Sequence, residues 1–398
     1  VKAFMDVQEN GYGVFITIEG WGCNLVGCYG NALVPTPNLD VFASKAWVFD
    51  QYWMDRFSAA DLLHRVAPCE VESQEWMIVT HSPEAREYFQ GFKNVEVLEL
   101  RGGEEYEFGF QELIIRGIAM WLERKHEIPY LWIHSRGLCG DWDAPYEFRQ
   151  VMCDEGDPDP PVGREPPELI LPPGYDPDER FRWACGAGGQ AICIDRGVEV
   201  LMELLDGLEL VDSCWVVLSG VQGYPLGEHG GIGFRGVGGY AERLHCPLLI
   251  RLVDDEPLGG RIESFIQPRG VSQWMRSFVR RIAGEEICVE FEGYTNSMAY
   301  AMGSGELAMI TSAWSAVVSV GVHLSGEVEL KFLGIFCHPE DRWQQNEIQD
   351  RVPDVRQLFE RIARLIFVRE GVVTSGVGGG EEDDSLDRML EELDGYGR

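Results

Sequence analysis

The feature that most constrains this chain is a succession of short apolar runs without strict polar alternation, most of them separated by a segment of helical period. The runs are Val14–Ile18, Trp76–Thr80, Val95–Leu100, Tyr130–His134, Cys214–Ser219 and Pro247–Leu252. Helical period fills Asn38–Trp47, Pro83–Gln90, Gln111–His126 and Gly189–Asp206, the last with Ile192, Leu201, Leu204 and Leu205 on one side. A strand that is apolar on both sides must be covered on both sides, and a helix between two strands is the crossover of a parallel pair. The expectation is an α/β fold with a mostly parallel sheet between helical layers. Any ligand crevice then lies at the carboxyl ends of the strands.

Two stretches break this rhythm. Asp154–Pro177 is crowded with Pro, Asp and Glu, which disfavours helix and interior strand and predicts an extended surface loop inside the first domain. From about Met302 the runs Leu307–Val320 and Glu327–Phe336 read as β, followed by an amphipathic helix over Val355–Arg369. The division expected is 1–301 for the α/β domain, 302–370 for a small antiparallel subdomain with a covering helix, and 371–398 for a hinge and acidic tail. Gly376–Gly380 is the hinge, and Leu386, Met389, Leu390 and Leu393 share one face of a short tail helix. That tail is expected to be solvated and partly disordered, or to dock a partner through its apolar face.

With 398 residues, 45% of them hydrophobic, the chain is long enough for a large core and a smaller one. Its 66 acidic and 33 basic side chains give a formal charge of −33, which disfavours nucleic acid and anionic membrane surfaces as partners. The acidic surface points to a solvated exterior or to a cationic protein partner. No stretch reaches the roughly 18 apolar residues of a membrane span, and no signal segment is recognisable. Eleven scattered cysteines without metal-binding spacing predict reduced thiols and, with them, a cytoplasmic location.

The first fifty residues contain Gly27-Cys28-Tyr29-Gly30, Thr36-Pro37-Asn38-Leu39-Asp40 and Phe49-Asp50 in one order and spacing. This segment resembles the amino terminus of the sulfatase branch of the alkaline-phosphatase superfamily. Physically, Thr36-Pro37 starts a helix that Asn38 can cap, with Leu39, Phe42 and Ala43 facing a core. Further matches follow in family order: the strand and loop YLWIHSRGLCGDWDAPYEF, the helix and strand AICIDRGVEVLMELLDGLELVDSCWVVLSG, and the loop VQGYPLGEHGGIGFRGVGGYAERLHCPLLIR. The resemblance covers about 370 residues of this sequence. It implies an alkaline-phosphatase-like α/β/α sandwich with a small C-terminal antiparallel-sheet subdomain.

It also implies where chemistry belongs. Sulfatases hold calcium or magnesium with carboxylates beside a nucleophile in a C/S-x-P-x-R motif, and the metal polarises the ester. Here the metal slots fall on Glu19-Gly20 and Val221-Gln222, leaving one carboxylate and one amide where a hard cation needs several oxygens. No cofactor is therefore expected, although the family would use calcium or magnesium. The nucleophile slot falls at Ser58 or Ala59 with neither Pro nor Arg following; Ser58 is a plain serine nucleophile or a helix cap, and capping is the expectation. His64, at helical spacing from Asp61, reads as a surface residue.

The family's loop histidine falls on Asp143, and Arg235 and His245 stand near its anion-holding Lys and Arg. His229 remains within Gly-Glu-His-Gly, as a loop-bracing or catalytic residue. Two functions follow. One is a catalytically inactive pseudoenzyme kept as a binding or assembly scaffold. The other is a hydrolase of sulfate or phosphate esters with a rearranged site built on Glu19, Asp143, and His229 or His245. Convergence of these side chains on an open crevice favours the second; apolar filling by Val221 and Trp21 favours the first.

Overall fold

The structure, a computed structural model, describes residues 2–4, 11–67, 74–101, 106–235, 237–253, 259–281, 288–290, 296–303, 305–322, 328–371 and 381–397. Its main sheet contains β1 (Tyr12–Gly20), β2 (Trp47–Phe49), β3 (Trp76–Thr80), β4 (Asn94–Val97), β5 (Tyr130–Ser135), β6 (Cys214–Gly223), β7 (Leu248–Arg251) and β8 (Gly260–Ile262). The spatial order is β8-β2-β7-β6-β1-β5-β3-β4. Only β7 runs against the rest. The short expected strands are thus present within a few residues, and the mixed but mostly parallel sheet is as anticipated.

Both faces of the sheet are covered, which is why its strands lack polar alternation. Val14, Ile16, Ile18, Leu131, Ile133, Val216 and Leu218 enter one core cluster with Leu113, Ile114 and Ile118 of helix Gly109–Leu122 and Leu201 and Leu205 of helix Pro177–Gly207. The opposite face is aromatic: Phe15, Trp76, Tyr130, Trp132 and Trp215 pack together, with ring centroids of 5.2 Å for Phe15 and Trp132 and 5.9 Å for Tyr130 and Trp215. A Cβ on Gly13 would overlap the Trp215 indole, so the central strand needs glycine there. Offset and edge contacts of this kind add to the burial of apolar area.

Several helix boundaries differ from expectation. The long helix starts at Pro177 rather than Gly189. Its Cys185-Gly186-Ala187-Gly188-Gly189 turn looks like a breaker, but a Cβ on Gly186 would meet Trp142 at 2.6 Å and one on Gly189 would meet Arg149 at 2.8 Å. Close packing outweighs the poor helix propensity of glycine. The Asp154–Pro177 segment is a loop that contributes a two-residue strand, Leu169–Ile170, paired with Gly231–Ile232. It is clamped from inside by Arg149, which donates to the carbonyls of Pro161 at 2.6 Å and Gly163 at 2.8 Å.

The first helix is Pro37–Ala43, and Trp47 already belongs to β2. Asn38 does not cap it: Thr36 is the N-cap, while the Thr36 hydroxyl accepts from Gly27 N at 2.8 Å. The cap is supplied from the long helix, where buried Asp195 accepts from Leu39 N and Asn38 Nδ2, both at 2.8 Å. The expected helix over Pro83–Gln90 shortens to Ala85–Tyr88, and that over Gln111–His126 runs over Gly109–Leu122.

The second sheet, β9 (Ala299–Gly303), β10 (Glu306–Ile310), β11 (Trp314–Val322) and β12 (Val328–Cys337), is antiparallel and consecutive. It takes in Ala299–Gly303, ahead of the boundary read from sequence. Helix Pro353–Arg369 covers it with Val355, Leu358, Phe359, Ile362 and Ile366.

The expected Gly376–Gly380 hinge lies outside the described residues. The tail beyond it forms helix Glu381–Tyr396, and this corrects the solvated reading: Met389, Leu390 and Leu393 are buried in the subdomain's own core. Trp314 Nε1 donates to Leu393 O at 3.0 Å, and Ser312 bonds Asp394. The apolar face that the sequence offers to a partner is therefore occupied within the chain. No described helix is long and apolar enough to cross a membrane.

Asp195→Ala should lower the unfolding free energy by about 2 kcal/mol, because it strands the Leu39 amide and unties two helices. Urea denaturation checks this, and Asp195→Asn, which keeps one acceptor, should lose less.

Candidate functional site

The carboxyl ends of β1, β5 and β6 meet where the resemblance puts the metal. Parallel pairing sets Thr17 beside His134 and, on the other side, Glu19 beside Gln222. The β1–β6 register slips between Ile18 and Glu19, since Ile18 pairs with Gly220 and Glu19 with Gln222. Val221 is the extra residue of this bulge, and bulges re-aim side chains. Val221 is 2% exposed and belongs to the aromatic-face core, while Trp21 is wholly buried on the other side.

Glu19 is 4% exposed, and a buried carboxylate needs partners. It is reached by a chain of hydrogen bonds along the strand ends. Trp132 Nε1 donates to Thr17 Oγ1 at 2.9 Å, and the same hydroxyl is hydrogen-bonded to His134 Nδ1 at 3.1 Å. His134 Nε2 then carries the hydrogen and donates to Glu19 Oε1 at 3.1 Å. His134 itself is 0% exposed, stacked edge-on against Phe89 at 5.4 Å and Tyr88 at 6.0 Å. Burial, followed by the charges of Glu19 and Glu84, pushes the Tyr88 phenol up from its usual range.

The remaining slots offer little to a cation. Gly20 has φ 74° and contributes no side chain. Gln222 Oε1 is buried with no hydrogen-bond partner among the described residues. Among the described residues no group of three or more His, Cys, Asp or Glu has the arrangement to hold a metal ion. The family slots thus present one carboxylate already bonded to His134 and one amide oxygen, against the roughly six oxygens that magnesium or calcium takes.

None of the other candidates bonds Glu19 among the described residues; Ser58, Asp143, His229 and His245 have local partners instead. Ser58 caps helix Ala59–Val66, accepting from Asp61 N at 3.5 Å, and His64 is exposed. Asp143, read from sequence as an acid facing Glu19, instead caps helix Gly109–Leu122 by accepting from Gly109 N at 2.6 Å. A carboxylate is favourable at a helix amino terminus, which explains the acid at this position. Arg235 is exposed. His245 stacks on Trp53 at 4.6 Å and donates from Nε2 to Asp50 O at 2.8 Å; burial pulls its pKa down to about 4.

His229 braces the join between the two subdomains. Its Nδ1 lies 2.7 Å from Glu242 Oε1 and its Nε2 2.8 Å from Gln344 O, while its ring stacks on Tyr240 at 3.7 Å. Both partners are acceptors, so both ring nitrogens donate and the ring is an imidazolium. Burial opposes that charge, but the hydrogen bond and charge of Glu242 outweigh it and the pKa is raised. Gln344 carries the join onward, accepting from Ala241 N at 2.8 Å and donating to Ser315 Oγ at 2.9 Å.

The open space lies beside these slots. A cleft of about 530 Å³ sits at the carboxyl ends of β3, β4 and β5, lined by His81, Ser135, Arg136, Asp141, Asp143 and Arg164 on its polar side and by Val97, Leu98, Leu100 and Phe110 on its apolar side. Sequence reasoning missed His81, His134, Ser135 and Arg136. The available signal was position, because all four stand at the ends of expected strands, where α/β ligand sites gather. His81 Nε2 accepts from Arg136 N at 3.0 Å, which leaves the hydrogen on Nδ1, and burial, then His134 and Arg136, hold its pKa down at about 4.

His134→Ala should destabilise the protein by about 3 kcal/mol, since it leaves the Glu19 charge buried and unpaired. Glu19→Gln, which keeps an acceptor without the charge, should cost markedly less in the same urea titration. For His229 the folded pKa is raised, so the folded state binds more protons than the unfolded one. Its contribution is complete below the unfolded value of about 6.5 and is lost as pH rises through the higher folded value. Stability measured across that window should fall with pH in the parent and lose this slope in His229→Gln.

No protein-family model and no curated protein matches the chain. Solved structures do. BT4656, in complex with its substrate D-glucosamine-2-N,6-O-disulfate, has a TM-score of 0.64 at 13% identity, over 91% of this chain and 98% of its own. The phosphonate monoester hydrolase of Agrobacterium radiobacter gives 0.61 at 12%, over 92% and 96%. BT1596, a 2-O GAG sulfatase, gives 0.61 at 11%, over 97% and 94%. With the mixed sheet and the antiparallel subdomain in place, this chain has the α/β fold of these sulfatase and phosphonate monoester hydrolase structures.

Proposed function

We propose that this protein is a catalytically inactive, sulfatase-like scaffold that binds or assembles without hydrolysing esters. The observation that carries the reading is the hydrogen bond from His134 Nε2 to Glu19 Oε1 at 3.1 Å. It engages an oxygen of the one carboxylate left in the metal slots. The same logic extends outward: Ser58 and Asp143 cap helices, His229 bridges subdomains and Val221 fills core. Residues at catalytic slots have acquired structural partners, so the architecture is retained while the reacting constellation is not.

A ligand for such a scaffold has a natural place in the cleft beside β3 and β5. Arg136 and Arg164 supply positive charge there, and the Val97, Leu98 and Phe110 wall supplies apolar surface. A protein partner with a basic face suits the overall charge of −33.

The competing reading, a hydrolase of sulfate or phosphate esters with a rearranged active site, has one observation in its favour. Ser135 Oγ lies 3.4 Å from His81 Nε2 inside the cleft. Against it, that nitrogen already accepts the Arg136 amide, and a pKa near 4 leaves the imidazole a weak base at neutral pH.

Titration calorimetry with calcium and magnesium should give no stoichiometric uptake, and aryl sulfates and aryl phosphates should not turn over. Tight uptake of either cation overturns the scaffold reading. Turnover that disappears in Ser135→Ala and His81→Ala would establish the rearranged hydrolase instead.

A further inference from the structure

Nine of the described cysteines are free thiols, and most of them are buried or half-buried without a sulfur in hydrogen-bond contact. Two differ. Cys153, half-buried at the start of the Pro-rich loop, has its Sγ 3.5 Å from the Sγ of Cys185, which is fully buried on helix Pro177–Gly207. The two sulfurs are in hydrogen-bond contact across 32 positions of sequence. Between them runs the loop whose carbonyls Arg149 grips and which carries Arg164 to the cleft.

We propose that Cys153 and Cys185 form a reversible dithiol–disulfide site that fastens the Asp154–Asp176 loop to the long helix. A disulfide needs its sulfurs at about 2.05 Å. The loop end that bears Cys153 is exposed on its flank at Val151 and Asp154 and has room to close the gap, whereas the helix is fixed by its packing against Trp142 and Arg149.

The chemistry balances with a small disulfide such as oxidised glutathione as the electron acceptor. Cys153, the accessible sulfur, attacks as thiolate, forms a mixed disulfide and releases one glutathione thiolate, which takes up a proton. Cys185 then gives up its proton and attacks Cys153 Sγ; the protein S–S bond forms and the second glutathione leaves as a thiol. Two protein thiols are oxidised and one small disulfide is reduced. Burial, then the hydrogen bond with Cys153, raises the pKa of Cys185 to about 12, which fits it to the second, intramolecular role, where proximity replaces thiolate abundance.

The test uses the full chain, equilibrated in glutathione buffers of stepped oxidised-to-reduced ratio, alkylated without reduction and digested with trypsin. The expected product links the peptide containing Cys153 to that containing Cys185 and is two hydrogens lighter than the separate pair. Cys193 shares the second peptide, so fragment ions and a Cys193→Ser control assign the sulfur. Cys185→Ser should halt at glutathione on Cys153, and Cys153→Ser should leave Cys185 open to alkylation after unfolding. Oxidation should also slow proteolysis within Asp154–Asp176 several-fold in the parent and not in either serine variant; matching far-ultraviolet dichroism confirms that the variants fold. Free alkylation of both sulfurs in the most oxidising buffer, arrest of the parent at a mixed disulfide, a link to another cysteine, or a disulfide that leaves loop proteolysis unchanged overturns the proposal.

Discussion

A carboxylate at the end of a doubly covered central strand has few acceptable states. It binds a cation, takes a proton, or finds a donor. Glu19 finds a donor, and His134 can serve because parallel pairing puts it on the adjacent strand, directly beside Thr17 and two residues short of the level of Glu19. The histidine is oriented in turn by Thr17 and Trp132, so the arrangement at the strand ends reaches into the aromatic layer beneath the sheet. Buried polar networks of this kind hold a structure in one arrangement only while every member is satisfied. The site and the core below it are, in this sense, one packing problem.

Local structural partners also hold the other candidate residues. Asp143 faces a helix amino terminus, where its charge is favourable, rather than a substrate anion. His229 is held as a cation between a carboxylate and a carbonyl and thereby ties the α/β domain to Gln344 of the subdomain connection. His245, by contrast, is kept neutral by burial against Trp53. The two histidines are pushed in opposite directions, His229 up by Glu242 and His245 down by burial, each by its own neighbours.

Much of the architecture was legible in the sequence because burial on both faces removes polar alternation, and that pattern is visible in Val14–Ile18 and Cys214–Ser219. The first three turns of the helix from Pro177 were not, because its glycines look like breakers until Trp142 and Arg149 are seen pressing on them. The tail misled for a similar reason: its acids dominate the composition, while its apolar residues meet a surface that only tertiary structure supplies. At the site, the residues standing at the positions of the resemblance, Glu19, Gly20, Val221 and Gln222, were readable one by one. The partners that redirect Asp143, His229 and His245 lie 13 or more positions away, and no local spacing announces them. His134 was in plain view as the last residue of an expected strand, but its pairing with Glu19 depends on strand order.

The docking of helix Glu381–Tyr396 has a consequence for biogenesis. This helix, which follows the sheet and its covering helix in the chain, supplies Met389, Leu390 and Leu393 to the small hydrophobic cluster and accepts the indole hydrogen of Trp314. Until this helix has been made and docked, that part of the cluster has no cover, and the nascent chain carries an unsealed apolar surface of the sort chaperones recognise. Closure of the small subdomain therefore waits for a helix made well after the sheet it seals, and loss of that helix would leave the larger domain formed beside an adhesive, half-built neighbour.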